Sequence, residues 1–278
     1  MKYKKEFINF IENLVNYAPT DYDEGLGTTY ERYVLNKYLK NLKRERRIKS
    51  IFEGPSDGTV GIRGINSLPF ADNHYNITYY SPSKRELECV KKSWKKMNKN
   101  LNLKSGKTHD LPFADNSFDL VWNFCIVEHF KNPVPLIREM TRISRRYVLI
   151  ITQNKYNYGT FFHIIYHKLI KKKWNHGLFK WMTFKGIEQL VNRNNLKVLE
   201  RGCIDAPIWP DTWDMPIRGL FKKFLIIFGK SWKWGSLKKN KRPSTLLLLC
   251  EKIEKLPLLF IKMLIAHHLY ILCEKVYR

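Results

Sequence analysis

The chain has 278 residues, of which 44% are apolar, and its 50 Lys plus Arg against 25 Asp plus Glu give a formal charge of +25. The apolar share supports a sizeable core and excludes a disordered chain as the origin of that charge. So basic a balance calls for a polyanionic neighbour, nucleic acid or an anionic membrane surface, unless it reflects a general preference for Lys.

Five scattered cysteines without a CxxC pair argue against a disulfide framework or a zinc ribbon and for a reducing compartment. No stretch reaches the roughly 18 apolar residues that cross a bilayer. The opening MKYKKEFINFIENL spaces charges among apolar residues as a helix does and has no apolar signal-peptide core. A cytoplasmic protein is expected, soluble or peripheral on the inner face of the membrane.

In chain order, two helices flank the turn-rich APTDYDEGLG, and the second runs from Thr28 to about Lys43 with Tyr30, Tyr33, Val34, Tyr38 and Leu39 on one stripe. RIKSIFEG and YNITYYSP then read as strands, separated by a Gly-rich loop and a short helical stretch near Asn66–Ala71. Ser83–Met97 reads as a basic helix and Phe118–Cys125 as a buried strand. Pro133–Ile143 is a helix with Pro in its first turn, where a missing N–H costs nothing. RRYVLIITQN, a helix over Thr183–Asn194 and LKVLERGCID follow. TLLLLCEK reads as a last strand and Pro257–Val276 as a last helix. Strands alternating with helices predict an α/β fold with a mostly parallel sheet covered on both faces.

Open parallel sheets bind ligands beyond their C-terminal strand ends, above all in the first βα turn. Here that turn is Glu53-Gly54-Pro55-Ser56-Asp57-Gly58-Thr59-Val60-Gly61. Its glycines let the backbone approach a ligand, and a carboxylate at the strand end can accept from an amine or a ribose hydroxyl. Further on, Asp110-Leu111-Pro112-Phe113-Ala114-Asp115-Asn116-Ser117-Phe118-Asp119-Leu120-Val121 leads to Val127-Glu128-His129-Phe130.

That run, its distance from the Gly-rich turn and the elements after it resemble the class I, Rossmann-like methyltransferases in their small-molecule branch, over roughly residues 28–255. The resemblance implies a seven-stranded sheet with S-adenosylmethionine lying across the ends of strands one, two and four. Glu53 would face the methionine moiety, above a loop of Gly54, Asp57, Gly58 and Gly61. His109, Asp110 and Leu111 would lie near the adenine, and Asn123 and Cys125 near the methyl-transfer mouth. Asn123 and His129 are the expected catalytic residues. The family's loop has glycines where Pro55, Asp57 and Thr59 stand. Its ribose-binding acid at the second strand end is replaced by Tyr79 or Tyr80, which would offer one hydroxyl instead. No metal is expected at Glu128-His129, because Cys125 stands where metal-binding relatives carry a second Glu.

After the fifth strand, NKYNYGTFFHIIYHKLIKKKWNHG reads as an amphipathic lid helix burying Phe161, Phe162, Ile165 and Leu169. The alternative is a pocket lined by His163 and His167, which share one helix face, with His176. In the Trp-Pro loop Asp205–Asp214, Trp209, Asp211 and Trp213 are acceptor contacts or packing. Arg218–Arg242 interleaves Lys and Arg with FLIIF and two Trp and contains no acid. It suits an anionic membrane surface better than RNA, because the aliphatic run has no role on a single strand.

The expected organisation is N-terminal helices over 1–45 capping the cofactor site, a methyltransferase domain over 46–255 with insertions at about 155–182 and 206–243, and an apolar helix over 256–278. The expected function is methylation of a small or lipid-like acceptor at a membrane. An RNA methyltransferase and a catalytically silent scaffold are the alternatives.

Overall fold

The computed structural model describes residues 23–24, 26–56, 64–71, 75–96, 98–207, 232–233 and 245–277. Seven strands form one sheet: β1 (Ser50–Glu53), β2 (Asn76–Tyr80), β3 (Asn102–Lys104), β4 (Phe118–Phe124), β5 (Ser144–Gln153), β6 (Leu196–Ile204) and β7 (His268–Lys275). Their spatial order is β3-β2-β1-β4-β5-β7-β6. Neighbours from β3 to β5 pair in parallel, whereas β7 lies antiparallel between β5 and β6. Asp23–Glu24 and Trp232–Lys233 form a separate two-residue antiparallel ladder.

Helix α1 (Leu26–Glu45) precedes the sheet, and α2 (Lys84–Lys96) and α3 (Val134–Ile143) connect its parallel strands. Then come α4 (Tyr158–Leu169), α5 (Phe184–Asn192), α6 (Thr245–Glu254) and α7 (Leu259–Ile265). The expected helix ahead of α1 lies outside the described residues.

Alternation along each strand divides the core into two layers. Ile51, Trp122, Leu149 and Leu272 pack with Tyr30, Leu35 and Leu39 of α1 and Val90 and Trp94 of α2. Phe52, Val121, Val148 and Ile271 face the opposite way, onto Ile137 and Met140 of α3 and Ile187 and Leu190 of α5. Each such side chain contributes about 1.5–3 kcal/mol by burial. Polar caps start the later helices: Asn157 accepts from the Gly159 amide at 2.7 Å, and Thr183 from the Gly186 amide at 3.0 Å.

Two C-terminal expectations are corrected. TLLLLCEK belongs to helix α6, and the helix expected over Pro257–Val276 is the short α7 followed by strand β7. A strand covered on both faces reads as an unbroken apolar run, which periodicity cannot tell from a buried helix. Strand β7 fills the gap between β5 and β6 and completes the sheet. The short edge strand β3 had no apolar signal, since two of its three residues are exposed.

Candidate active site

Two groups of polar side chains converge where β1, β4 and β6 end and β7 begins. In the first, Glu53 ends β1 fully buried, its Oε2 accepting from the Ser67 hydroxyl at 2.5 Å. Its Oε1 has no partner among the described residues. Burial pushes the carboxyl up to about 7, against the hydroxyls of Ser67 and Ser56 and the charge of Arg32. Arg32 comes from α1, where it donates to Asn66 Oδ1 at 2.9 Å.

The turn after Glu53 is anchored at both ends. Gly54 has φ +142°, and a Cβ there would lie 2.3 Å from the Tyr80 carbonyl oxygen. Gly64 has φ +66° against Val90, and its carbonyl accepts from the Trp94 indole at 2.8 Å. Asp57, Gly58 and Gly61 lie outside the described residues.

Both tyrosines at the end of β2 are buried, with their hydroxyls bonded. Tyr79 donates to Glu86 Oε1 at 2.5 Å inside the α1–α2 core, and Tyr80 donates to the Lys107 carbonyl at 2.8 Å. Both hydroxyls tie β2 to its neighbours. Ser81 also donates to Glu86, from the turn that follows β2. Around the turn where Lys107 pairs with Asp110, His109 and Asp110 are exposed and Leu111 is buried. Leu111 donates its amide to Glu139 of α3.

Asn123, expected at the transfer mouth and as a catalytic residue, points through the sheet onto α3, with Nδ2 3.4 Å from Met140 Sδ. That is a consequence of strand alternation, which puts residue 123 on the face opposite Trp122 and Phe124. Cys125 remains at the strand end, with φ +48°. His129 follows in a short 3-10 turn. Burial and the nearby His176 push its imidazole down to about 3, so it stays neutral and is a poor base near neutral pH.

The second group was not expected. Cys125 Sγ lies 3.3 Å from His268 Nδ1, and His268 Nε2 lies 3.9 Å from both Glu31 Oε1 and Asp205 Oδ2. Asp205 follows the end of β6, buried, and meets His267 Nδ1 at 2.6 Å. Burial raises its carboxyl above the usual carboxylate range, with His267 opposing the rise. Next to it, burial holds Glu254 of α6 at about 7, while the Ala206 amide donates to it at 2.6 Å. Adjacent Glu31 and Arg32 make α1 the shared wall of both groups. The signal that could have exposed this group was the pair His267-His268 interrupting an apolar run.

Glu53 predicts a pH effect. A carboxyl whose folded pKa lies above its unfolded value binds more protons when folded, so its burial penalty is absent below about 4.5 and grows as pH rises to about 7. Glu53→Gln should therefore gain stability relative to wild type from pH 5 to pH 8, by up to about 3 kcal/mol. Denaturant unfolding at the two pH values measures this, and equal differences at both would contradict the assignment.

A methyltransferase domain family matches residues 59–151. No curated protein matches the chain in sequence. Among solved structures, a SAM-dependent methyltransferase, possible histamine N-methyltransferase, from Thermotoga maritima aligns over 99% of this chain and 100% of its own, with TM-score 0.56 and 13% identity. Magnesium protoporphyrin IX methyltransferase from Synechocystis PCC 6803, with bound SAH, aligns over 89% and 84%, with TM-score 0.54 and 9% identity. The YcgJ protein of Bacillus subtilis aligns over 88% and 99%, with TM-score 0.52 and 12% identity. At these identities the likeness is one of fold.

Proposed function

We propose that this chain is a class I, S-adenosylmethionine-dependent methyltransferase and that it methylates a small, lipid-like acceptor reached from an anionic membrane surface. The observation that carries this reading is the outward face of α4 and α7. The lid helix is reversed from the expected orientation: Phe161 is 60% and Leu169 76% exposed, while His163 and His167 point inward. On α7, Phe260 is 73% exposed, with Ile261 and Leu264 beside it. The amides of Asn154 and Asn157 donate to the carbonyls of Met263, Ile265 and Ala266, so the two helices stand together where β5 ends and β7 begins. That is also the end holding Cys125 and His268. Exposed Lys168, Lys171, Lys172 and Lys173 lie in and just after α4, and exposed Lys252 and Lys255 shortly before α7 in the chain. Exposed apolar and basic residues together suit the interface of an anionic leaflet. Among the described residues no helix is long and apolar enough to cross a membrane, so attachment would be peripheral. The basic segment Arg218–Arg242 lies outside the described residues.

The residues present fit the cofactor at its methionine end: a buried strand-end carboxylate with one oxygen lacking a described partner suits an ammonium group. When bound, S-adenosylmethionine supplies an electrophilic methyl group on its sulfonium. Glu53 would hold the amino acid part, kept in place by Ser67 and by Arg32 above it. His268 would take the proton from the acceptor's nucleophilic atom, with Asp205 and Glu31 offsetting the positive charge it gains. Phe124, with its ring 4.9 Å from that of His268, limits the rotation of the imidazole.

Flotation with vesicles tests the membrane reading. Wild type should float with phosphatidylserine-containing vesicles and much less with pure phosphatidylcholine. A Phe161→Glu/Phe260→Glu variant should bind at least about tenfold more weakly, the scale of losing one or two inserted side chains. Protein that ignores anionic vesicles yet shifts single-stranded RNA with a steep salt dependence would replace this reading with RNA methylation.

A further inference from the structure

The inward face of α4 carries a second group of side chains that methyl transfer does not use. His163 and His167 lie one helical turn apart, both buried at 6% and 2% exposure. The loop after α4 returns His176 to them, so that one nitrogen from each of the three imidazoles lies within 4.8 Å of the others. The ring centroids are 4.6 Å apart for His163 and His167, 4.5 Å for His163 and His176, and 5.1 Å for His167 and His176. Trp174 closes the group, 5.4, 5.6 and 4.9 Å from the three rings, and stacks on Phe179 at 5.0 Å.

We propose that His163, His167 and His176 bind one divalent transition-metal ion of the zinc class, which ties α4 to the loop behind it. A neutral imidazole presents one lone pair, and three ring nitrogens this close together could supply the three protein ligands of an open tetrahedral site. An i, i+4 pair on a helix sets two ligands on one face, and the third comes from a loop held by its own bonds, with the Trp174 indole donating to the Gly177 carbonyl and the Leu178 amide to the Glu128 carbonyl. Nitrogen ligands select zinc, copper or nickel over magnesium or calcium, which require oxygen. The aromatic wall limits water around the ion and keeps the imidazole orientations fixed. Exposed Lys171, Lys172 and Lys173 oppose a cation only through solvent, where their charge is strongly screened.

The test uses tag-free, full-length protein, stripped with a chelator and titrated with Zn2+ or Co2+ alone. Wild type should take up one equivalent and show the visible absorption of four-coordinate cobalt with no thiolate charge-transfer band. His163→Gln and His167→Gln should each weaken binding by at least about 100-fold, since even outer partners of metal ligands are worth 10–100-fold. The second cluster, Glu31, Asp205 and His268, is the internal control, and His268→Gln should bind as wild type does. Zinc should raise the unfolding temperature of wild type and of His268→Gln, and not that of the other two variants. Absence of stoichiometric binding, or undiminished binding in the His163 and His167 variants, would overturn the proposal. So would a thiolate band in wild-type protein, which would place the ion beside Cys125 and needs no folded variant to be read.

Discussion

Replacing Gly54 by alanine should destabilise the protein by about 3 kcal/mol or more, the largest effect expected of any one-carbon change in the site. Two costs add. At φ +142° an L-residue is strained by about 1–3 kcal/mol. The new Cβ would also sit 2.3 Å from the Tyr80 carbonyl oxygen, and Glu53 and Tyr79 are register partners in the parallel ladder just before that contact. Neither strand can withdraw without giving up pairing at the centre of the sheet. The expected fall in unfolding temperature is about 6–12 °C for a domain of this size. Gly106→Ala is the control, because its Cβ would meet the same Tyr80 at 2.9 Å but at the hydroxyl end of the side chain. A Gly54→Ala protein that melts within about 2 °C of wild type would mean the turn is not built as described.

The second large effect concerns chemistry rather than stability. His268→Gln should lower methyl transfer by about 10²–10⁴, the usual contribution of a positioned general base. Glutamine keeps a polar side chain near Cys125 but cannot hold the acceptor's proton. The measurement is transfer of labelled methyl from S-adenosylmethionine into a lipid extract presented on anionic vesicles, with cofactor affinity followed separately by calorimetry. That affinity should not change, because the groups acting on Glu53 are Ser67, Ser56 and Arg32 and do not include His268. Asp205→Asn should lower the rate less and shift its pH dependence, since Asp205 acts through His268 and His267. If His268→Gln transfers methyl within about threefold of the wild-type rate, the base lies elsewhere.

The linear chain already carried four of the five parallel strands. The alternation of RIKSIFEG, YNITYYSP, FDLVWNFC and RRYVLIITQN with amphipathic helices was sufficient, because local periodicity records which face of each element is buried. The run from Asp110 to Val121 lies within the stretch that a methyltransferase domain family matches, and Glu53 stands at the end of β1, as its place in the sequence suggested. Whether Asp57, Gly58 and Gly61 complete the loop lies outside the described residues.

What only the tertiary structure decided were the pairings that join distant segments. Nothing local says that His268–Lys275 is a strand: its apolar run is buried on both faces only because β5 and β6 take it up between them. With that strand come His267 and His268 beside Cys125 and Asp205, partners up to 143 positions apart. The orientation of α4 was equally undecidable from its sequence, since both a Phe-Leu face and a His-His face have helical spacing. The side that turns inward depends on the loop carrying Trp174 and His176. Tyr79 and Asn123 lie in strands that were correctly read, and strand pleat and packing, which periodicity does not show, set their contacts with Glu86 and Met140. Periodicity reports that a side chain is buried. Its partner is set by the three-dimensional packing of the sheet and helices.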